Sequence, residues 1–259
     1  MFWTKEHVYT LIPTMVIEII LAIVIGHFMK GKSDKVRMIP IKIIAVILLL
    51  LEVWKQIYSI INGYDLYRLP FHFCSLFLFF VPIAAFYDGK YKDIFRLLSI
   101  VISTCLFLFM TIYPNIVYSG DSIISSLNFI TFKGGWFIDF HSWVFHGLAL
   151  FLFFLFVALD VCNLNKKKDL KIIVIAFSIY CLIVGPFSQI VKTNYNNFYH
   201  SNAPFIEDIR LKLVESLSWG GQLIYVLIIS IGTILVPIIS YFVFKGVLAL
   251  KNKITHKEA

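Results

Sequence analysis

The sequence predicts an all-α polytopic membrane protein with seven transmembrane helices, its N-terminus outside and its C-terminus cytoplasmic. Three observations carry this reading. Only 15% of the 259 residues are charged and 59% are hydrophobic, whereas soluble domains carry roughly 25% charged residues. The apolar residues gather into runs long enough for a bilayer core of about 30 Å at 1.5 Å per residue. The basic residues fall unequally between those runs, on alternate sides.

The spans are expected at 8–29, 38–61, 69–87, 97–113, 140–159, 170–191 and 222–244, making residues 1–259 one transmembrane domain. The first is too long for a cleaved signal and has no basic leader, so it stays as a span. The second carries Glu52 and Lys55 in its outer half. The third starts at Leu69–Pro70, where proline is tolerated in a first helical turn. The fourth is the shortest and stops at Pro114. The fifth contains His141 and His146. The sixth follows the basic run at residues 166–168 and ends at Lys192, and the seventh is bounded by Lys245. Irregular backbone cannot face lipid, so all seven are read as helices.

Orientation follows from charge. Sixteen Lys and Arg, from Lys30 to Lys257, lie on the side of the first, third and fifth connections and the tail. Six, including Lys133, lie on the other side. The richer side is cytoplasmic. The net charge of +8 is therefore membrane anchoring rather than a nucleic-acid footprint, and membrane lipids are the expected partners. The four cysteines have no framework spacing and no CxxC, so neither a disulfide scaffold nor a cysteine metal site is expected.

Two outer connections are long, 114–139 and 192–221. The second contains EDIRLKLVESLSWGG. It reads as a surface amphipathic helix with Asp208 as N-cap and Gly220–Gly221 as its end.

Polar side chains inside spans cost a few kcal/mol and mark the bundle interior. Counted from the outer helix ends, Glu52 lies about 13 Å deep, and Lys55 and His146 about 9 Å. His72 and Cys74 lie within roughly 8 Å. His141 sits at a span mouth, and Gln189, Asn194 and Tyr195 lie around the end of the sixth span. These residues share one outer layer. Each also has a plain structural reading. Glu52 and Lys55, three apart, share a helix face and can pair. Gln189 can crosslink helices, Cys74 can pack as a small apolar residue, and His72 can be an interfacial hydrogen-bonder. Glu18, near the middle of the first span, calls for a polar partner that the sequence does not identify.

Zinc would need His or acidic pairs at i, i+3 or i, i+4 on one helix, and no such pair of ligands occurs, so no metal or cofactor is expected. A thiol beside a histidine fits better, because the thiolate is the nucleophile and needs a base or positive charge to form. On a helix His72 and Cys74 would be about 200° apart, so they could not address one partner.

Three stretches carry a resemblance. LPFHFC (69–74), FHSWVFHGLALFL (140–152) and VGPFSQIVKTNYNNF (184–198) resemble motifs of the YwaF-type bacterial integral membrane proteins, grouped with eukaryotic transmembrane protein 164. Ser75 stands where bacterial relatives often have an acidic residue, and Lys192 where they often have glycine. The resemblance implies a seven-span protein of the bacterial plasma membrane. It also implies cysteine-dependent acyl transfer on lysophospholipids, with Cys74 as nucleophile and His146, or else His72, as base. Glu52, Lys55, His141, Gln189, Asn194 and Tyr195 are then expected to line the substrate pocket. The alternatives are a non-enzymatic lipid or small-molecule binder, a transporter-like protein, and a zinc hydrolase using the three histidines.

Overall fold

The computed structural model describes residues 3–128, 136–162, 164–201 and 203–255. Lys133 and Lys257 of the charge balance lie outside them. The described residues form α-helices and short 3-10 turns without strands: α1 (Lys5–Met29), α2 (Asp34–Arg37), α3 (Ile39–Ile61), α4 (Phe77–Phe86), α5 (Lys92–Ile112), α6 (Gly120–Leu127), α7 (Trp136–Leu159), α8 (Lys166–Val191), α9 (Pro204–Leu217) and α10 (Trp219–Thr255). Among them α1, α5, α7, α8 and α10 are long and apolar enough to cross a membrane. The protein is an all-helical, multi-pass membrane protein.

Two expectations are corrected. The stretch 69–87 is not one helix. Leu66–Arg68 and Phe73–Leu76 are 3-10 turns, and the α-helix begins only at Phe77. Leu69 is extended, at φ −61° and ψ 147°, because a following proline excludes the helical conformation. The surface helix exists as α9, but it starts four residues earlier than Asp208. Ala203 precedes it and Pro204 occupies its first turn, where the missing N–H costs nothing. It ends at Ser218, and Gly220 and Gly221 belong to the first turn of α10. The first long connection also holds a helix that the sequence reading did not name. It is α6, capped where the Ser119 side chain accepts from the Ser122 N–H at 3.1 Å.

The chain divides into two compact units, with α3 and α10 running from one into the other. In the first unit (1–58, 77–164 and 240–259), α1, α5 and α6 pack on α7, and α4 packs on α5. Cations close the C-terminal end of α7, satisfying its last carbonyls and complementing its dipole. Arg37 donates to the carbonyls of Leu159 at 3.1 Å and Asp160 at 3.0 Å. Lys251 donates to Val157 at 2.7 Å. Arg96, buried, grips the Asp34 carboxylate at 2.7 and 3.1 Å and the Val161 carbonyl at 3.1 Å.

The second unit (59–76 and 165–239) joins the irregular stretch to α8, α9 and the first part of α10. Glu207 accepts from Arg210 Nη2 at 2.5 Å and from the Ser201 N–H at 2.7 Å, and Arg210 reaches Gln222 of α10 at 3.3 Å. The Arg210 hydrogen bond holds the Glu207 carboxyl below its ordinary value. Such a group contributes stability above its unfolded pKa, about 4.3 for Glu, and loses it as pH falls through the lower folded value. Acid should therefore loosen α9. Hydrogen exchange across α9, corrected for intrinsic rate, is expected to rise below about pH 4 in the native protein. In Glu207→Gln it should be high already at pH 7 and nearly independent of pH. Equal profiles for the two proteins would refute the role of this pair.

Candidate functional site

Cys74 sits in the 3-10 turn Phe73–Leu76 and is half-buried. The backbone leading to it is fixed in steps. After α3, Gly63 takes a positive φ of 83°, which a residue with a Cβ rarely adopts. Asp65 then accepts from the Tyr67 N–H at 2.9 Å and starts the first turn. The Ser75 N–H donates to the His72 carbonyl at 2.9 Å and starts the second. In the first turn and the stretch after it, side chains take backbone carbonyls. Tyr195 donates to Leu66, His72 Nε2 to Tyr67 at 2.8 Å, and Tyr180 to Phe71 at 2.9 Å. A buried non-helical backbone needs such partners.

His72 is thereby placed as part of this scaffold. Its ring packs edge-on against Tyr67 at 4.4 Å and Tyr195 at 5.3 Å. Tyr195 is fully buried and also packs on Phe71 and Phe187. The end of α8 and the following loop hold it there. Lys192, Asn196 and Asn197 adopt left-handed conformations, which asparagine tolerates better than most residues. Asn196 donates to Thr233 at 2.8 Å, and Tyr225 donates to the Asn197 carbonyl at 2.6 Å. Gln189 donates to the Phe198 carbonyl at 2.6 Å and accepts from Gln222 of α10 at 3.0 Å. The Asn194 carboxamide oxygen accepts from the His200 N–H at 3.4 Å.

Two phenols that the sequence reading did not name, Tyr67 and Tyr180, lie within electrostatic reach of Cys74. Burial, and then Cys74 and Asp65, pushes the Tyr67 phenol above its ordinary value. It stays an O–H donor at neutral pH, the form that can stabilise negative charge on a neighbouring atom. No local pattern marks these tyrosines, because their relation to Cys74 is made by the fold.

The other candidates belong to the first unit. Glu52 and Lys55 form an ion pair at 2.8 Å, and Gln56 donates to Glu52 at 2.6 Å. His141 lies within electrostatic reach of Lys55 and His146 and stacks on Phe145 at 5.7 Å. It is buried, and its Nε2 has no hydrogen-bond partner among the described residues. His146 lies 2.7 Å from the Ser142 carbonyl through Nδ1. A carbonyl only accepts, so Nδ1 carries the proton and the basic lone pair is on Nε2.

Glu18 is 8% exposed, and its Oε2 finds no hydrogen-bond partner among the described residues. It faces Gly147 of α7, where an added Cβ would lie 3.8 Å from Oε1. Its polar neighbour is Tyr118. That phenol is pushed up by burial and then by Glu18, and it stacks on His7 at 5.6 Å. His7 is itself committed, donating through Nε2 to the Tyr118 carbonyl at 2.9 Å and accepting from the Thr4 N–H at 3.2 Å.

Cys74, His72, Gln189, Asn194 and Tyr195 thus fall in the second unit, and Glu52, Lys55, His141 and His146 in the first. Among the described residues, no three His, Cys, Asp or Glu side chains converge as metal ligands would. No curated protein and no solved structure matches the chain. The family model described as the TMEM164 family matches residues 2–243, which include all three motif stretches. The chain belongs to the TMEM164 family.

Proposed function

We propose that this protein is a thiol-dependent lipid acyltransferase of the bacterial plasma membrane, crossing it seven times with the N-terminus outside. Two spans join the five long apolar helices. One is α3, whose 23 residues extend about 34 Å. The other is the apolar stretch Phe73–Phe86. The excess of Lys and Arg on alternate connections supports the orientation.

The observation that carries the proposal is the setting of Cys74. In an otherwise helical membrane protein, its approach is a non-helical stretch pinned by Tyr195, His72 and Tyr180. Irregular backbone of this kind is costly in a membrane and is kept where it serves a site. By its motif His146 takes the role of base, with His72 as the alternative. The base takes the Cys74 proton, and Sγ attacks the carbonyl carbon of a phospholipid ester. The S–C bond forms, the ester C–O bond breaks, and the proton passes to the departing lysolipid oxygen. A lysophospholipid hydroxyl then gives its proton to the imidazole and attacks the thioester. The new ester forms, the S–C bond breaks, and the proton returns to sulfur. Glu52, Lys55 and His141 tune the polarity around the imidazole, and Gln189, Asn194 and Tyr195 hold the lipid-facing loop in shape.

The test is covalent. Protein in proteoliposomes is incubated with a phospholipid carrying a labelled acyl chain, quenched in acid and digested. A hydroxylamine-labile acyl group on the peptide containing Cys74 is expected. Turnover without acylation at Cys74 would refute the mechanism. Neither turnover nor adduct would favour the alternative, a non-enzymatic lipid binder or transporter-like protein.

A further inference from the structure

A second binding feature lies wholly within the first unit and is independent of Cys74. A cavity of about 790 Å³ opens among α1, α5, α7 and the last turns of α10, within the range of about 300–1,000 Å³ typical of ligand pockets. Its walls are apolar, formed by Ile19, Ala22, Ile23, Phe107, Phe153 and Phe154. Phe107 and Phe153 stack at 4.2 Å and make one flat side. Gly26 lets α1 come close to α7 at the cavity, since a Cβ there would stand 3.1 Å from the Ala158 methyl.

The mouth of this cavity is basic. His27, Lys30, Arg37 and Lys251 line it, with Asp160 as the acidic residue. A smaller polar cavity of about 390 Å³ shares Arg37 and Asp160 with it and adds Asp34, Lys92, Asp93 and Arg96. Together the two hold five Lys and Arg side chains against three Asp. Arg37 and Arg96 each keep a buried Nε–H without a hydrogen-bond partner among the described residues. Their other contacts, to Asp34 and to the carbonyls of residues 159–161, are already made. Buried donors of this kind call for an acceptor.

We propose that this cavity is a binding site for an anionic phospholipid of the bilayer, one acyl chain against the Phe107–Phe153 wall and the phosphate at Lys30, Arg37 and Lys251. The apolar walls have no use for a free anion, and the cationic surplus favours an anionic over a zwitterionic head group. Basic pockets between membrane helices recognise anionic lipids by this combination. The site lies beside the basic connections, so its lipid comes from the leaflet on that side.

Native mass spectrometry of the full chain, released from detergent, provides the test. The probes are dioleoyl phosphatidylglycerol, dioleoyl phosphatidylcholine and inorganic phosphate. One phosphatidylglycerol should be retained with about tenfold preference over phosphatidylcholine, and phosphate should not compete with it. Lys30→Gln with Arg37→Gln should abolish the preference. Val247→Trp, which fills the cavity from its half-exposed rim, should abolish retention. Melting temperatures of all variants confirm folding. Equal retention of both lipids by the native protein, or retention unchanged in Val247→Trp, would show ordinary annular lipid and overturn the proposal. Displacement by phosphate alone would show a soluble-anion site and overturn it equally.

Discussion

Cys74→Ala is expected to lower acyl turnover by about 10³-fold or more and to leave the fold in place. The side chain is small and half-buried, and the turn that carries it is held by the Ser75 N–H to His72 carbonyl bond. Losing one sulfur therefore removes chemistry and little structure. Cys74→Ser tests the same point more gently, since a hydroxyl is a far weaker nucleophile at neutral pH. His146→Ala should cost about 10²–10⁴-fold and change the pH profile. Without the imidazole, activity should climb with alkalinity, because the thiolate then forms without a base to take its proton. Turnover and melting temperature measured together decide the matter. A Cys74→Ala protein that melts normally and turns over normally would end the thiol mechanism, and a His146→Ala protein with the native pH profile would remove His146 from it.

The largest structural effect is expected from Gly221→Ala. A Cβ at Gly221 would lie 2.0 Å from the Leu213 carbonyl oxygen, 2.3 Å from its carbon and 2.7 Å from the Val214 nitrogen. These are backbone atoms of α9, so no side-chain rotation relieves the clash. The helix itself must move, and the Arg210 contact to Gln222 goes with it. A loss of about 3 kcal/mol or more is expected, the upper end for overpacking. Gly220→Ala is the control. Its Cβ would meet only the Leu217 side chain at 4.0 Å, so it should be neutral or slightly stabilising in the first helical turn. Thermal unfolding in detergent separates the two, and equal melting temperatures would refute the close approach.

This pair of glycines shows where the sequence was legible. Gly220–Gly221 reads as a helix stop, because glycine commonly ends helices. One of the two is instead where two helices touch, a relation visible only in three dimensions. Pro204 was the better sign of where α9 starts. The long apolar helices follow directly from hydropathy, and the Glu52–Lys55 pair follows from helical spacing alone. The stretch before Cys74 did not follow. Pro70 keeps Leu69 out of the helical conformation, but the side chains that hold the rest of the stretch, Tyr180 and Tyr195, lie more than a hundred positions away in sequence. The tautomer of His146 was equally hidden, although it depends only on Ser142, one turn away.

The length of α10 has a mechanical consequence. Its 37 residues, Pro237 among them, make a helix of about 55 Å, against a hydrocarbon core of about 30 Å. The apolar part, 222–244, matches that thickness. The remainder, from Lys245 onward, continues as helix and is tied to α7 where Lys251 donates to the carbonyls of Val157 and Ala158. Hydrophobic mismatch at this helix is met by tilt or by its lysines reaching to the head groups, each at a modest cost.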